Sequence, residues 1–493
     1  MLCELKREAN RTFTENGAAA HRSTFSHCLN FFAVCGALRQ ESDGMQYRLF
    51  TRAYAENPDM AMKILFYARD IRQGLGEREL FREILRWLAS RRPDSVRKNI
   101  PLVAEYGRWD DLLDLFGTAC EKDAAACIRA QLERDRKALE NGEPVSLMAK
   151  WLPSLHTSNA ERRKQAGRLC KALRMTEKEY RKTTAALRSA IDIVEKRLCA
   201  GDYSFEYSKV PSCAMMKYQK AFLRNDRERY EAYLERVLNG TESLHADAVF
   251  PYEIIRKCIR LGTPGSEIPP EEISGLIRSL DASWKSLPDY CDGRNALAVI
   301  DGSGSMYEGK GILPAEAAMS LGIYFAERNT GFFRDHFITF SRTPQLVELQ
   351  GGNIADRTAF CMSHNEVANT DLCSVFSLLL ETAVRHHLPQ EELPEILYII
   401  SDMEFDEGIR CDRALFEEIR EQFAANGYQL PALVYWNVNC RNEQFPVRKD
   451  ETGTVLVSGS SPVVFRMVIH GEITPEEYML EVIGSERYLP VSA

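Results

Sequence analysis

The plainest chemical capacity in this 493-residue chain lies at Asp301–Ser305, read DGSGS, directly after the apolar run Ala296–Ile300. One carboxylate and two hydroxyls, on Asp301, Ser303 and Ser305, form an oxygen-only donor set. Such a set suits hard cations, Mg²⁺ first and Mn²⁺ or Ca²⁺ after it, rather than zinc, which prefers nitrogen and sulfur. Asp, Ser and Gly are also common turn residues, so the motif alone reads equally well as a plain turn. Two later positions shift the balance. Thr370 sits in ANTDL, just before the helical pattern Leu372, Val375, Phe376 and Leu379, and Asp402 follows the apolar run Ile396–Ser401. A strand end, a helix start and a second strand end would meet at one rim of a parallel sheet.

The elements that must position these residues are legible around them. Ala296–Ile300 is short, β-rich and free of helical charge spacing, which predicts a buried strand. Gly302 and Gly304 permit a tight turn at its carboxyl end. The second half then alternates: helix Leu313–Arg328, strands Phe333–Phe340 and Gln345–Leu349, helix Leu372–His386, strand Ile396–Ser401, helix Asp412–Asn426, strand Pro431–Asn437 and strand Thr454–Val457. Helices over Pro462–His470 and Pro475–Ile483 close the chain. Strands separated by helical stretches predict a doubly wound, mostly parallel sheet.

This order of motifs resembles a von Willebrand A domain with a metal-ion-dependent adhesion site. The resemblance implies that Ser303, Ser305 and Thr370 ligate the metal directly, that Asp301 and Asp402 hold metal-bound waters, and that one coordination position stays open for an acidic side chain of a protein partner. Few direct carboxylates leave a cation under-neutralised, so it still attracts an anion.

Composition bounds the rest. At 45% hydrophobic over 493 residues the chain can bury large cores and should hold at least two domains. No apolar run approaches the ~20 residues of a spanning helix, and MLCELKREANRTF lacks the apolar core of a signal peptide; no membrane partner is expected. The 14 cysteines are scattered without a C-x-x-C pair. Cys28/Cys35 and Cys120/Cys127 share helical faces and read as core packing, so a cytoplasmic chain with reduced thiols is expected. The net charge of −8 conceals a split: residues 1–290 carry 48 basic and 41 acidic side chains, residues 291–493 carry 15 and 30. That asymmetry predicts different partners for two domains, 1–290 and 291–493, divided near Lys285–Asn295.

The first half reads as successive helices after a frayed tail to about Asn16: Phe25–Arg39, a helix opening at Asn57-Pro58-Asp59, Glu77–Ser90, Val96–Tyr106 and Asp110–Phe116. Paired helices on short turns predict a HEAT-like α-solenoid without strict repeat period. Glu161–Arg188 then holds ten basic and three acidic residues, among them Arg162, Arg163, Lys164, Arg168, Lys171 and Arg174. Lys209–Arg229 adds Lys217, Lys220 and Arg224, interleaved with Tyr218 and Phe222. Basic faces of this kind serve as electrostatic footprints for RNA phosphates; solvated helix faces have the same composition. The interleaved aromatics can stack bases, and they read equally well as the helix's buried side.

Further runs point to one family across nearly the whole chain. SDMEFDEG (Ser401–Gly408), GYQLPALVYWNVN (Gly427–Asn439), FPV (Phe445–Val447), VSGSSP (Val457–Pro462), RDIRQGLGERELFRE and SKVPSCAMMKYQKAFLRND resemble the signature runs of a domain-of-unknown-function family of plants and microbes. The architecture is similar to that of the Ro autoantigen proteins, which pair a helical TROVE ring with a von Willebrand A domain and bind small non-coding RNAs. The resemblance implies a multidomain α plus α/β chain that acts as an RNA-binding scaffold, its solenoid able to close into a ring. Two other roles stand beside it: an adaptor that captures an acidic protein through Mg²⁺ without RNA, and a metal-dependent hydrolase. Against catalysis, no His falls within the motifs and no nucleophile elbow, Walker loop or H-E-x-x-H occurs. Beyond Asp402, the acids Glu404, Asp406 and Glu407 are expected to cap the following segment, with tuning of the site's charge as the alternative.

Overall fold

A computed structural model describes residues 1–38, 44–191, 193–246, 249–262, 269–291, 295–309, 311–340, 343–364, 371–406, 415–466 and 472–493. The fold is mixed α/β and mostly helical, with a six-stranded, mostly parallel sheet in the C-terminal part. The chain forms two compact units: residues 1–57 with 205–485, and residues 58–204 with 486–493. These bounds differ from the change of charge at 290/291, because the helices Pro251–Gly262 and Pro270–Lys285 pack into the unit that holds the sheet.

In the first unit a short antiparallel hairpin pairs β1 (Arg11–Phe13) with β2 (Ala19–His21). The sheet contains β3 (Ala296–Asp301), β4 (His336–Phe340), β5 (Leu346–Glu348), β6 (Ile396–Ser401), β7 (Ala432–Asn437) and β8 (Thr454–Ser458), in the order β5-β4-β3-β6-β7-β8. Only β5 runs antiparallel to its neighbour. Strands β3, β6 and β7 are buried at every position, as befits a parallel sheet covered on both faces. From β3 the chain moves first to β4 on one side and later to β6 on the other. The sheet's switch point therefore falls between β3 and β6, where the crevice beyond the strands' carboxyl ends takes ligands in this architecture.

The helix Pro314–Arg328 crosses from β3 to β4, with all but its last two residues buried. It approaches β3 so closely that a Cβ on Gly322 would lie 2.1 Å from Ile300 Cδ1. Its Glu316 receives the Arg256 guanidinium at 2.6 Å, and its Glu327 accepts from the Trp284 indole at 2.7 Å, tying in the helices that precede the sheet.

The second unit stacks the helices Pro58–Arg69, Arg78–Ala89, Pro93–Tyr106, Glu121–Glu140, Ala160–Ala172 and Glu177–Ala190. Asp111 is fully buried between Arg69 at 2.8 Å and Arg82 at 2.6 Å. Asp70, also fully buried, accepts from Arg487 at 2.9 Å and from the Tyr488 hydroxyl at 3.2 Å, which seats residues 486–493 in the same unit.

Several expected bounds move. The expected frayed tail is a helix, Leu2–Ala9, followed by the β1–β2 hairpin. The helix expected over Phe25–Arg39 is regular only at His27–Phe32, since Phe25 sits at φ +69° and Ser26 caps the helix that follows; Arg39 lies outside the described residues. Asp110–Phe116 is a 3₁₀ turn, Trp109–Leu115, and Pro462–Arg466 is another. The helix Ile354–His364 was not anticipated. Among the described residues no helix is long and apolar enough to cross a membrane.

Candidate functional site

Asp301 ends β3 at the switch point and is 1% exposed. Strand register places Ile300 opposite Ile400 on β6, so the next residue on each strand meets across the gap: the Ser401 hydroxyl donates to Asp301 Oδ2 at 2.5 Å. The other oxygen, Oδ1, accepts the Ser303 backbone N–H at 2.9 Å, which turns the chain sharply after the strand. That turn sets the Ser303 and Ser305 hydroxyls 3.1 Å apart. Asp402 follows Ser401 and is buried. Its Oδ1 accepts the Glu404 N–H at 3.2 Å, while Met403 takes the left-handed φ of +67° that folds the loop back. Burial first, and the Asp402 charge second, push the Asp301 carboxyl up to about 6.

Asp301, Ser303, Ser305 and Asp402 thus share one rim. Thr370 lies outside the described residues. The Asp402 Oδ2 atom is buried without a hydrogen bond; the Arg441 guanidinium stands 3.2 Å away as an ion-pair neighbour and also reaches Glu15 at 3.0 Å. Two buried carboxylates and two hydroxyls form a hard, oxygen-only donor set of the kind that fits Mg²⁺ or Mn²⁺. Among the described residues no three His, Cys, Asp or Glu side chains gather as a metal-holding group, so any cation at this rim depends on the hydroxyls.

Glu404 does not cap a helix start. It is 2% exposed and accepts the Glu15 N–H at 2.8 Å, the Asn442 amide at 2.8 Å and the Gln444 amide at 2.7 Å. Asn16 donates to its carbonyl at 2.7 Å and the Thr14 hydroxyl to that of Phe405 at 2.5 Å. The bend of the β1–β2 hairpin therefore clasps the loop that carries Asp402. Asp406 forms an isolated bridge with Gly17, and Glu407 lies outside the described residues. Ser401 was readable as the polar residue closing an apolar strand; Arg441 and Glu15, remote in sequence, left no such signal.

The basic residues occupy the helical parts. Arg162, Arg163, Lys164, Arg168, Lys171 and Arg174 lie on or just after the helix Ala160–Ala172 and are all exposed. Arg168 is taken by Glu121 at 2.7 Å. Lys217, Lys220 and Arg224 are exposed along the helix Ser212–Asn225, in the other unit. Phe222 is fully buried among Phe205, Tyr207 and Tyr230 and offers no base-stacking surface. Tyr218 is half-buried, with the Lys217 ammonium 4.9 Å from its ring.

A family described as a domain of unknown function, DUF2828, matches residues 14–130 and 156–291, about half of the chain. The chain belongs to this family. A second domain of unknown function, DUF7788, matches residues 295–487 of this DUF2828 member. An uncharacterized protein, L728, of Acanthamoeba polyphaga mimivirus is 28% identical over 519 residues, covering 96% of this chain and 87% of the viral protein. The crystal structure of the Deinococcus radiodurans RO (RSR) protein is similar with a TM-score of 0.46 and 14% identity, over 94% of this chain and 100% of that one.

Proposed function

We propose that this DUF2828 member is a non-catalytic binding scaffold. Its sheet acts as a von Willebrand A-like domain whose rim takes one divalent cation, Mg²⁺ or else Mn²⁺ or Ca²⁺, and through it an acidic side chain of a protein partner. Its helical part, read as a HEAT-like array, binds a small structured RNA through the exposed basic faces. The observation that carries the metal half is the convergence of Asp301, Ser303, Ser305 and Asp402 at the switch point, with the Asp402 Oδ2 atom buried and offset only by the Arg441 charge at 3.2 Å. A cation there would relieve the mutual repulsion of two buried carboxylates. In this reading Ser303 and Ser305 ligate directly, Asp301 and Asp402 act through water, and Thr370 completes the set. Ring closure and cytoplasmic residence belong to the same reading.

Mn²⁺ titration of the full chain, followed by the loss of free-ion electron paramagnetic resonance signal, tests it. Wild type should take up one ion, and Ser303→Ala with Ser305→Ala should weaken uptake at least tenfold while the circular dichroism spectrum stays that of the folded chain. No uptake by wild type, or equal uptake by the variant, would sink the metal reading. The exposure of the cations along 162–174 favours RNA as the second partner. Binding of a structured RNA by the full chain should weaken steeply with salt. A hydrolase would reveal itself by EDTA-sensitive turnover.

A further inference from the structure

Within the 58–204 unit, the start of the helix Glu121–Glu140 and the end of the helix Ala160–Ala172 border a cleft of about 890 Å³. Five cations line it: Arg97, Lys122, Arg129, Lys171 and Arg174. Two acids line it as well, and both are already engaged: Asp123 by Arg97 at 3.0 Å, and Glu121 by Arg168 at 2.7 Å. Arg129 is anchored by one nitrogen to the Ala172 carbonyl at 2.9 Å, which fixes its guanidinium against the end of the neighbouring helix. Lys122, Lys171 and Arg174 are exposed and have no side-chain hydrogen bond or ion pair among the described residues.

Arg174 also occupies a left-handed position, φ +54°, just past the helix end, where the N–H of Met175 returns to Cys170 O at 3.0 Å. Glycine or asparagine is the usual residue for that closure. An arginine held there projects a long cation at the mouth of the cleft instead.

We propose that this cleft is the seat of the RNA backbone, with Lys122, Lys171 and Arg174 contacting phosphates and Arg129 as a fixed donor beside them. The inference rests on the RNA reading above and gives it a place. Single phosphates are compact anions that lysine meets as a point charge and arginine as a fork. Three uncompensated cations around one concavity match two or three consecutive phosphates better than one acidic side chain. The exposed cations Lys217, Lys220 and Arg224 of the helix Ser212–Asn225, in the other unit, serve as the comparison.

The test is fluorescence anisotropy of a labelled RNA hairpin with a single-stranded tail, on the full chain, between 50 and 200 mM salt. The triple variant Lys122→Gln, Lys171→Gln, Arg174→Gln should bind at least about 30-fold more weakly, and the slope of log affinity against log salt should fall by about 2. The charge-keeping triple Lys122→Arg, Lys171→Arg, Arg174→Lys should hold within about threefold of wild type. Lys217→Gln, Lys220→Gln, Arg224→Gln should cost far less than the cleft triple. Wild-type affinity in the cleft triple overturns the cleft and leaves RNA binding standing, as does a loss confined to the 217–224 triple. Inorganic tripolyphosphate competing as tightly as the RNA would mark a general anion site and overturn the backbone assignment. A wild-type chain that binds no RNA at all overturns the parent reading itself.

Discussion

The Asp301 rim and the basic helix Ala160–Ala172 use charge in opposite ways. At the rim, carboxylates are buried and held by backbone and hydroxyl donors from strands, turn and hairpin. On the helix the charges stand in solvent, several of them without a counter-ion among the described residues. A buried polar group is costly when any partner is lost, whereas an exposed charge is nearly neutral for folding. The rim is therefore expected to couple binding to stability, and the helix to couple binding only to ionic strength.

Substitutions can break or sharpen that contrast. The largest effect is expected at Glu404→Ala, which removes a buried carboxylate and with it the acceptor of three part-buried hydrogen bonds, and loosens the Asp402 loop. The cost should be about 4 kcal/mol in urea unfolding, and a loss under about 1 kcal/mol would show that the clasp is incidental. Gly36→Ala comes next. A Cβ there would stand 2.7 Å from the Ser458 backbone beside the end of β8, and backbone cannot step aside as a side-chain tip can. A loss of about 3 kcal/mol is expected by the same measurement.

His21 supplies a pH-dependent case. Burial, and then the Arg448 charge, lower its pKa from 6.5 to about 4. The folded chain holds this ring neutral while the unfolded chain takes up a proton below 6.5. Stability should therefore fall as pH drops from about 6.5 toward 4, by about 2 kcal/mol between pH 7 and pH 5. His21→Phe should flatten that slope; an unchanged pH profile would place the titration elsewhere.

Arg441→Gln removes a guanidinium 3.2 Å from Asp402. Loss of this competing charge should raise Mn²⁺ affinity a few-fold, and weaker uptake would instead make Arg441 the anchor that keeps Asp402 in place. The smallest structural effect is expected from Arg162→Gln, Arg163→Gln and Lys164→Gln together: no change in melting midpoint, with a shallower salt dependence of RNA binding. A shifted midpoint would mean that this face packs against something.

The sheet was largely legible in the sequence because buried parallel strands are short, unbroken apolar runs. Ile396–Ser401 and the helix Leu372–His386 have the bounds that pattern implies. The four rim residues were legible because each ends such a run or follows it by a few positions. What stayed hidden was long-range. Nothing local in Thr14–Asn16 announces that its acceptors are Glu404 and Phe405, and a hairpin of three-residue strands is too brief to show a period. Phe222 stayed open between two readings for a similar reason: cations flank it in sequence, and only the fold shows that the helix turns it inward onto Tyr207 and Tyr230.

The hairpin's grip on Glu404 spans 389 residues. At ordinary rates of protein synthesis the hairpin leaves the ribosome on the order of 20–80 s before its acceptor is made. Until then its donors must be satisfied by water or by a chaperone. The Asp301 rim is therefore among the last parts of the molecule to be finished, and a gene fragment opening at residue 291 would translate the strands without the piece that locks them.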